Sequence, residues 1–128
     1  MKKKLNPFPI VGPYAGIYSH GIEINKNEKT VYVSGQVGQD ENGKIASGFE
    51  GQCKQALMNV LGVLKEAQLE FQNIVKMNIY LTRPEDMQAL VDIRLKYLDG
   101  VGPAITTVIV SALVNSDWLV EIDVIATS

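Results

Sequence analysis

The side chains that could do chemistry are few, and two of them lie near the C-terminus of this 128-residue chain. Glu121 and Asp123 are two residues apart in an apolar stretch, so both carboxylates lie on one face of the predicted strand. Such a pair can act as general acid and base, but carboxylates at this spacing are also common on the solvated side of an outer strand. The residues by themselves leave both interpretations open.

His20 is the single histidine, and its spacing from Tyr18 predicts that the two side chains share a strand face. An imidazole in a cleft carries protons or contacts a polar ligand. The alternative is a hydrogen-bonded histidine on the surface or at an interface. We take His20 as a candidate ligand contact because Tyr18 is its neighbour. One histidine excludes a histidine-rich metal site, and carboxylates alone are poor transition-metal ligands, so we expect no metal.

The remaining candidates for nucleophilic or polar contacts are weaker. Cys53 falls on the apolar side of a predicted helix, which indicates a buried, unreactive thiol. No histidine and carboxylate pattern supports Ser34 as a nucleophile. Thr106 and Thr107 either offer hydroxyl groups to a ligand or serve only as good strand formers.

Composition excludes several classes of partner. The formal net charge of -2 and the pI of about 5.3 lack the basic surface of a nucleic-acid-binding protein, and the cluster Lys2-Lys3-Lys4 is interpreted as a solvated tail. The single cysteine permits no intramolecular disulfide. Prolines at 7 and 9 interrupt any apolar run near the N-terminus. We therefore expect a cytoplasmic protein with no signal peptide, membrane span or nucleic-acid partner.

The first half of the chain predicts two strands and a helix. Residues 17–24 and Thr30–Val37 are expected to form a hairpin around the polar turn 25–29. A capping-box pattern at 47–50 begins a helix that runs to about residue 67 or 68. The apolar face of this helix consists of Phe49, Cys53, Ala56, Leu57, Val60, Leu61 and Leu64.

The second half predicts a strand, a helix and two further strands. Ile74–Leu81 alternates as a strand does, and a capping box at 82–85 with a proline in its first turn begins the second helix. That helix ends at 99–100 and has the apolar stripe Met87, Leu90, Val91, Leu95 and Leu98. The last strands are expected at 105–113 and 118–126, joined through a turn at 115–117.

These elements predict a single α+β domain over residues 1–128, in the order β-β-α-β-α-β-β, with both helices on one face of a mixed sheet. The last strands carry apolar side chains on both sides, and another apolar row consists of Trp118, Val120, Ile122 and Val124. A two-layer domain should have a polar outer sheet face. We therefore expect the chains to associate through their sheets, with any pocket where subunits meet.

Five segments in this order resemble the Rid family, also called the RidA or YjgF family. They are YSHGIEI from Tyr18, VYVSGQVG from Val31, the helix QCKQALMNVLGVLKEA with IVKMNIYLT after it, GPAITTV from Gly102 and VEIDVIA from Val120. The resemblance implies a chorismate-mutase-like fold and a homotrimer with a central β-barrel and small-molecule clefts between subunits. The best-studied members hydrolyse reactive enamines and imines made by pyridoxal-phosphate enzymes, and the products are a 2-oxo acid and ammonia. The resemblance implies no cofactor on the protein itself.

The resemblance also implies roles for single residues. Tyr18 corresponds to the family tyrosine that closes the cleft, and Gly35 to a glycine whose backbone lines it. Glu121 corresponds to the glutamate that helps to position water, which favours it over Asp123 as the catalytic candidate. Ile105 stands where the family has an arginine that grips the substrate carboxylate.

Two further positions depart from the family pattern. Thr107 stands where cysteine is frequent, and Val91 where a helix asparagine is frequent. The change at Ile105 matters most, because losing a hydrogen bond to a charged group costs about 1.5–3 kcal/mol and weakens carboxylate binding roughly 10–100-fold. Arg94 lies one helical turn beyond Val91 and could supply another cation, although an exposed helix arginine is the simpler interpretation.

We carry three hypotheses from these observations. The first is an enamine or imine deaminase, a hydrolase, with altered substrate choice because of Ile105. The second is a non-catalytic module that binds a small metabolite in the same intersubunit cleft. The third is ribonuclease action or inhibition of translation, which the negative net charge disfavours.

Overall fold

The computed structural model describes residues 2–7, 18–26 and 28–128 of the chain. It has the α+β, chorismate-mutase-like architecture, with two helices layered on a mixed sheet. Its regular elements are β1 (Lys2–Leu5), β2 (Gly21–Ile24), β3 (Thr30–Val37), α1 (Gly48–Glu66), β4 (Ile74–Leu81), α2 (Met87–Tyr97), β5 (Ala104–Ile109) and β6 (Val120–Thr127).

The main sheet has four strands in the spatial order β3-β6-β4-β5. β6 pairs antiparallel with both β3 and β4, whereas β4 and β5 are parallel because the crossover through α2 returns the chain to the same end of the sheet. A separate two-stranded antiparallel sheet joins β1 to β2.

Alternate residues of the two central strands face the helices and form the core. These residues are fully buried and are Met77, Ile79 and Leu81 of β4 with Val120, Ile122 and Val124 of β6. They pack with the predicted apolar face of α1, of which every residue except the half-buried Leu61 is buried. Burying one such aliphatic side chain stabilises the fold by about 1.5–3 kcal/mol, so this layer is the main source of stability.

The opposite surface of the sheet, here called the open face, is more polar than the sequence suggested. It carries Lys76, Asn78 and Tyr80 of β4 and Glu121, Asp123 and Ile125 of β6. The expectation of a second apolar sheet face is therefore wrong for the central strands, because the row Val120, Ile122 and Val124 points at the helices. Trp118 precedes β6 and is not part of that row. Apolar exposure on the open face is found at Tyr32 and Val108.

The N-terminal expectations are corrected in two ways. The observed order begins with an additional strand, and β2 pairs with that strand rather than forming a hairpin with β3. The lysine cluster is thus strand β1 and not a solvated tail, because backbone pairing does not require apolar side chains. Lys2 Nζ also donates to the carbonyl oxygens of Gln72 and Ile74. Residue 17, the predicted start of the first strand, lies outside the described residues.

The second helix begins differently from its capping-box prediction. Residues Pro84–Asp86 form a 3-10 turn in which Arg83 donates to both carboxylate oxygens of Asp86, at 2.8 and 3.0 Å. Neither predicted capping box makes its side-chain bond. The helix is also rotated relative to the predicted stripe: Arg94 is 7% exposed and Leu95 is 44% exposed. The expectation of an exposed Arg94 is therefore wrong.

The last two strands are not neighbours. β5 ends at Ile109, earlier than predicted, and β6 inserts between β3 and β4. The turn around 115–117 therefore belongs to a longer connection that crosses from one edge of the sheet to its centre. Among the helices in the described part of the chain, none has the length and apolar character needed to cross a membrane.

Candidate functional site

The centre of the open face is a connected set of polar side chains. Tyr80 lies opposite Glu121 in the β4–β6 ladder, and Asn78 lies opposite Asp123. Asn78 Nδ2 donates to Asp123 Oδ1 at 2.9 Å. A hydrogen bond to Asp123 raises the pKa of the Tyr80 phenol, with smaller contributions in the same direction from the Asp123 charge, burial and the Glu121 charge. The shift favours the neutral form of the Tyr80 phenol.

Gly35 and Glu121 are brought into direct contact. A Cβ atom added to Gly35 would lie 2.2 Å from Glu121 Oε2, so the carboxylate occupies the space that glycine leaves. The register between β3 and β6 shifts between Val33 and Gln36, as in a β-bulge, and this places Gly35 beside the glutamate. Two residues 86 positions apart (35 and 121) thus meet on the open face.

Tyr18 and His20 lie beside the start of β5 rather than within a regular strand. Ser19 between them bridges Ala104, and its backbone nitrogen donates to the Pro103 carbonyl oxygen at 2.8 Å. The rings of Tyr18 and His20 contact edge to face, with centroids 5.7 Å apart and planes at 82°. The expected shared side of the two rings is confirmed, although their backbone is a bend and bridge.

The candidates on β5 point to two different faces. Ile105 lies opposite Met77 and packs, half-buried, against the core under the helices. Thr107 lies on that same face of the strand. Thr106 lies on the open face, where its Oγ1 accepts a hydrogen bond from Lys76 Nζ at 2.9 Å. In one chain, the side chains of Ile105 and Glu121 are therefore on opposite faces of the sheet.

The candidate residues form two groups within one chain. The first is the open-face group of Gly35, Thr106 and Glu121. The second is the group at the entry of β5 and consists of Tyr18, His20 and Ile105. Val91 lies half-buried on α2 in the helix layer, apart from the open-face group. A half-buried carboxylate next to a neutral phenol can accept a proton from water and orient its attack, which is general-base chemistry.

Two residues of the helix layer belong to the core rather than to this site. Burial raises the pKa of the Cys53 thiol to about 12, despite an opposing effect from the nearby Arg94 charge. Burial also lowers the pKa of Arg94, whose Nε has no hydrogen-bond partner among the described residues. The expected buried thiol is confirmed.

Tyr80 and Asn78 were not singled out from the sequence, although the alternation of β4 placed both on its polar side. What the sequence could not supply is the partner strand, since the pairing of β4 with β6 joins residues that are distant in the chain. Within the described residues, no group of three histidine, cysteine, aspartate or glutamate side chains is arranged to hold a metal ion.

Two grooves among the described residues lie apart from the open face. A groove between the helices is lined by Glu50, Lys54, Ala89, Asp92, Ile93, Lys96 and Tyr97. Another follows β1 and is lined by Lys3, Lys4, Leu5, Asn6 and Pro7. Neither groove includes the polar residues around Glu121.

Comparison with known proteins agrees with the fold. Residues 12–128 match the family model described as Endoribonuclease L-PSP. A RutC family protein of Aquifex aeolicus is 39% identical over 124 residues, which cover 94% of this chain and 91% of that protein. The 2-iminobutanoate/2-iminopropanoate deaminase of Mus musculus is 34% identical over 113 residues, which cover 87% of this chain and 81% of the mouse protein.

A solved structure supports the same relationship. The crystal structure of YyfB from Yersinia pestis, a protein of unknown function of the conserved Rid protein family, matches with a TM-score of 0.87 at 26% identity. The match covers 99% of this chain and 98% of the Yersinia chain. Sequence and structure therefore agree that this chain belongs to the Rid (RidA/YjgF) family.

Proposed function

We propose that this chain is a Rid-type hydrolase that converts enamines and imines to carbonyl compounds and ammonia, with a substrate choice altered by Ile105. The observation that carries the proposal is the contact of the Glu121 carboxylate with Gly35, beside the Tyr80 phenol. The mouse relative is named a deaminase of 2-iminobutanoate and 2-iminopropanoate, which supports the reaction class. The ligand is a small molecule, and the mechanism uses no cofactor.

The reaction asks little of the protein. A protonated imine is already electrophilic, so water adds to its carbon and gives a carbinolamine. Glu121 accepts a proton from that water as the carbon–oxygen bond forms, and returns it to the nitrogen. It then accepts the hydroxyl proton as the carbon–nitrogen bond breaks and the carbonyl forms, and passes that proton to solvent. The products are the carbonyl compound and ammonia. The negative charge of Glu121 also stabilises the positive charge on the iminium nitrogen.

The separation of the two residue groups within one chain supports a substrate cleft between copies of the chain. Glu121 and Ile105 face opposite sides of one sheet, so one chain alone does not place both beside a single substrate. A homotrimer would bring the open face of one copy against the β5 entry of the next. The solution mass tests this assembly: we expect three times the 14.1 kDa chain mass by light scattering, and a monomer would contradict the shared cleft.

Ile105 motivates the altered substrate choice. An isoleucine offers no hydrogen bond to a carboxylate, whereas an arginine forms a bidentate pair with one. The loss of that pair weakens the binding of a 2-imino acid roughly 10–100-fold relative to an arginine-containing site. The binding of imines that lack this carboxylate is not weakened, so the relative preference of the protein shifts toward such imines.

Glu121→Gln tests the hydrolase proposal most simply. The amide keeps the size of the side chain and removes the base, so we expect ammonia release from freshly generated imines to fall about 100-fold or more. Glu66→Gln, an exposed change near the end of α1, is the matched control and should leave the rate unchanged. Equal rates in the two variants would overturn the role of Glu121, and a wild-type rate no faster than buffer would overturn the hydrolase itself.

The second candidate is a non-catalytic module that binds a small metabolite, and Ile105 is the observation that favours it. Under this alternative, wild-type protein releases no ammonia from any imine but gains thermal stability from a ligand in a metabolite screen. A screen without a stabilising compound would count against it.

A further inference from the structure

Two of the three lysines of β1 face the main sheet, because side chains alternate along a strand. Lys2 and Lys4 share one face of the strand, and Lys3 lies on the other face. Lys2 Nζ reaches the backbone at the start of β4, where it donates to the Ile74 carbonyl oxygen at 3.2 Å. The short strand therefore presents two ammonium groups to the end of the sheet at which β4 and β5 begin.

Lys4 lies against the backbone that leads into β5. Its Nζ is 2.8 Å from the position that a Cβ atom on Gly102 would occupy, and Ser19 Oγ is 3.6 Å from that position. Gly102 has a φ of +56°, a conformation that favours glycine, so this residue provides both the turn and the space for the ammonium. Ser19 Oγ donates to the Gly102 carbonyl oxygen at 2.5 Å, which fixes the loop.

This position is close to the residues of the β5 entry. Gly102 is three residues before Ile105, and Ser19, which bridges Ala104, lies between Tyr18 and His20. The pKa of Lys2 is lowered first by partial burial and then by the charge of Lys4, as expected for two cations at one place. Among the described residues, neither lysine forms an ion pair with a carboxylate.

We propose that Lys4 is the anion-binding residue of this chain, and that it holds the carboxylate of a small imine or of its 2-oxo acid product. The inference rests on the proposed cleft at the β5 entry. An ammonium on a flexible stem is a point charge, whereas a guanidinium is a rigid planar fork. Lys4 therefore accepts carboxylates at a range of distances from the reacting carbon, with less affinity than a bidentate arginine would give.

The test measures binding rather than turnover. Wild type, Lys4→Met and Lys3→Met are titrated with 2-oxobutanoate and with its uncharged amide by calorimetry. We expect wild type and Lys3→Met to prefer the acid over the amide, and Lys4→Met to bind the acid about tenfold more weakly with amide binding unchanged. Lys4→Arg should restore most of the preference because it restores the charge.

Two results would overturn the assignment of Lys4. One is equal affinity of wild-type protein for the acid and the amide, a comparison that needs no variant to fold. The other is an equal loss of acid binding in Lys4→Met and Lys3→Met, since both remove one positive charge from β1. Thermal unfolding of each variant verifies that the fold is retained.

Failure of the Lys4 proposal is distinguishable from failure of the hydrolase proposal. If wild type releases no ammonia from any imine but the acid preference disappears only in Lys4→Met, the anion site stands and the hydrolase does not. If ammonia is released and Lys4→Met keeps the acid preference, the hydrolase stands and Lys4 is not its anion contact.

Discussion

At the scale of single residues, the tightest constraint in the candidate site is the absence of a side chain at Gly35. A methyl group there would overlap the Glu121 carboxylate and displace it. Gly35→Ala should therefore lower kcat/KM for imine hydrolysis by about 10–100-fold, because small misplacements of a catalytic group are costly. Steady-state ammonia release measures this.

Gly62→Ala is the matched control for that substitution. Gly62 lies in the middle of α1 and has open space where its Cβ would be. The change should leave turnover intact and raise the free energy of unfolding by about 0.5–1 kcal/mol, since alanine favours the helix. Equal activity of the two variants would show that the contact between Gly35 and Glu121 has no part in turnover.

Cys53 carries a potentially nucleophilic thiol, but burial keeps this thiol unreactive. Its pKa is raised to about 12, so the neutral thiol is favoured in the fold. The native protein should not react with a thiol reagent at pH 8, and should react fully in denaturant. Because the folded pKa lies above the ordinary 9.0, the stabilising contribution is complete below pH 9 and is lost as pH rises toward 12. Rapid labelling of native protein would contradict this.

Residue identity alone predicted part of the site. The type and spacing of Glu121 and Asp123 placed both carboxylates on one strand face, and the structure confirms this. The burial of Arg94 was missed, since a charged residue beside an apolar stripe gives no sign that the helix is rotated toward it. Its neighbour Leu95 is exposed for the same reason.

At the scale of elements, the junction between α1 and β6 depends on one buried amide. Gln52 Nε2 donates to the Asp117 carbonyl oxygen at 3.1 Å, and Gln52 Oε1 accepts from the Leu119 backbone nitrogen at 2.8 Å. Gln52→Ala would leave both backbone groups without partners, at a cost of about 2–4 kcal/mol in the free energy of unfolding. Chemical denaturation measures this cost.

Gln55→Ala provides the comparison on the same helix. Gln55 donates to Asn59 one turn later, at 2.9 Å, and this local contact contributes only about 0.2–0.5 kcal/mol. A loss at Gln52 no larger than the loss at Gln55 would show that the backbone groups before β6 find other partners.

Helices and strands whose apolar residues repeat regularly were predictable from the sequence, but the pairing of the strands was not. α1 and β4 were found within one or two residues because their apolar positions repeat with the helical or the strand period. β1 was missed because three lysines in a row carry no apolar alternation, although the backbone still pairs with β2. The position of β6 between β3 and β4 follows from long-range packing, which local patterns do not encode.

At the scale of the whole molecule, the proposed function depends on surfaces that one chain keeps apart. The open face holds Glu121, the proposed general base, whereas Tyr18 and His20 lie beside the start of β5 and Ile105 faces the helices. The proposed cleft between copies of the chain would join these two surfaces. Under that proposal, substrate choice is a property of the assembly, because residue 105 of one copy and Glu121 of another would contact the same substrate.

The substrate specificity of Ile105→Arg tests the proposed role of residue 105. We compare kcat/KM for a 2-imino acid with kcat/KM for an uncharged imine in wild type, in Ile105→Arg and in the size-matched control Ile105→Met, after confirming by light scattering that each assembly is retained. We expect the ratio to rise about tenfold or more in Ile105→Arg and to stay unchanged in Ile105→Met, because a guanidinium adds a carboxylate contact. An equal kcat/KM ratio in all three proteins would contradict this role, since residue 105 would then not contact the substrate carboxylate.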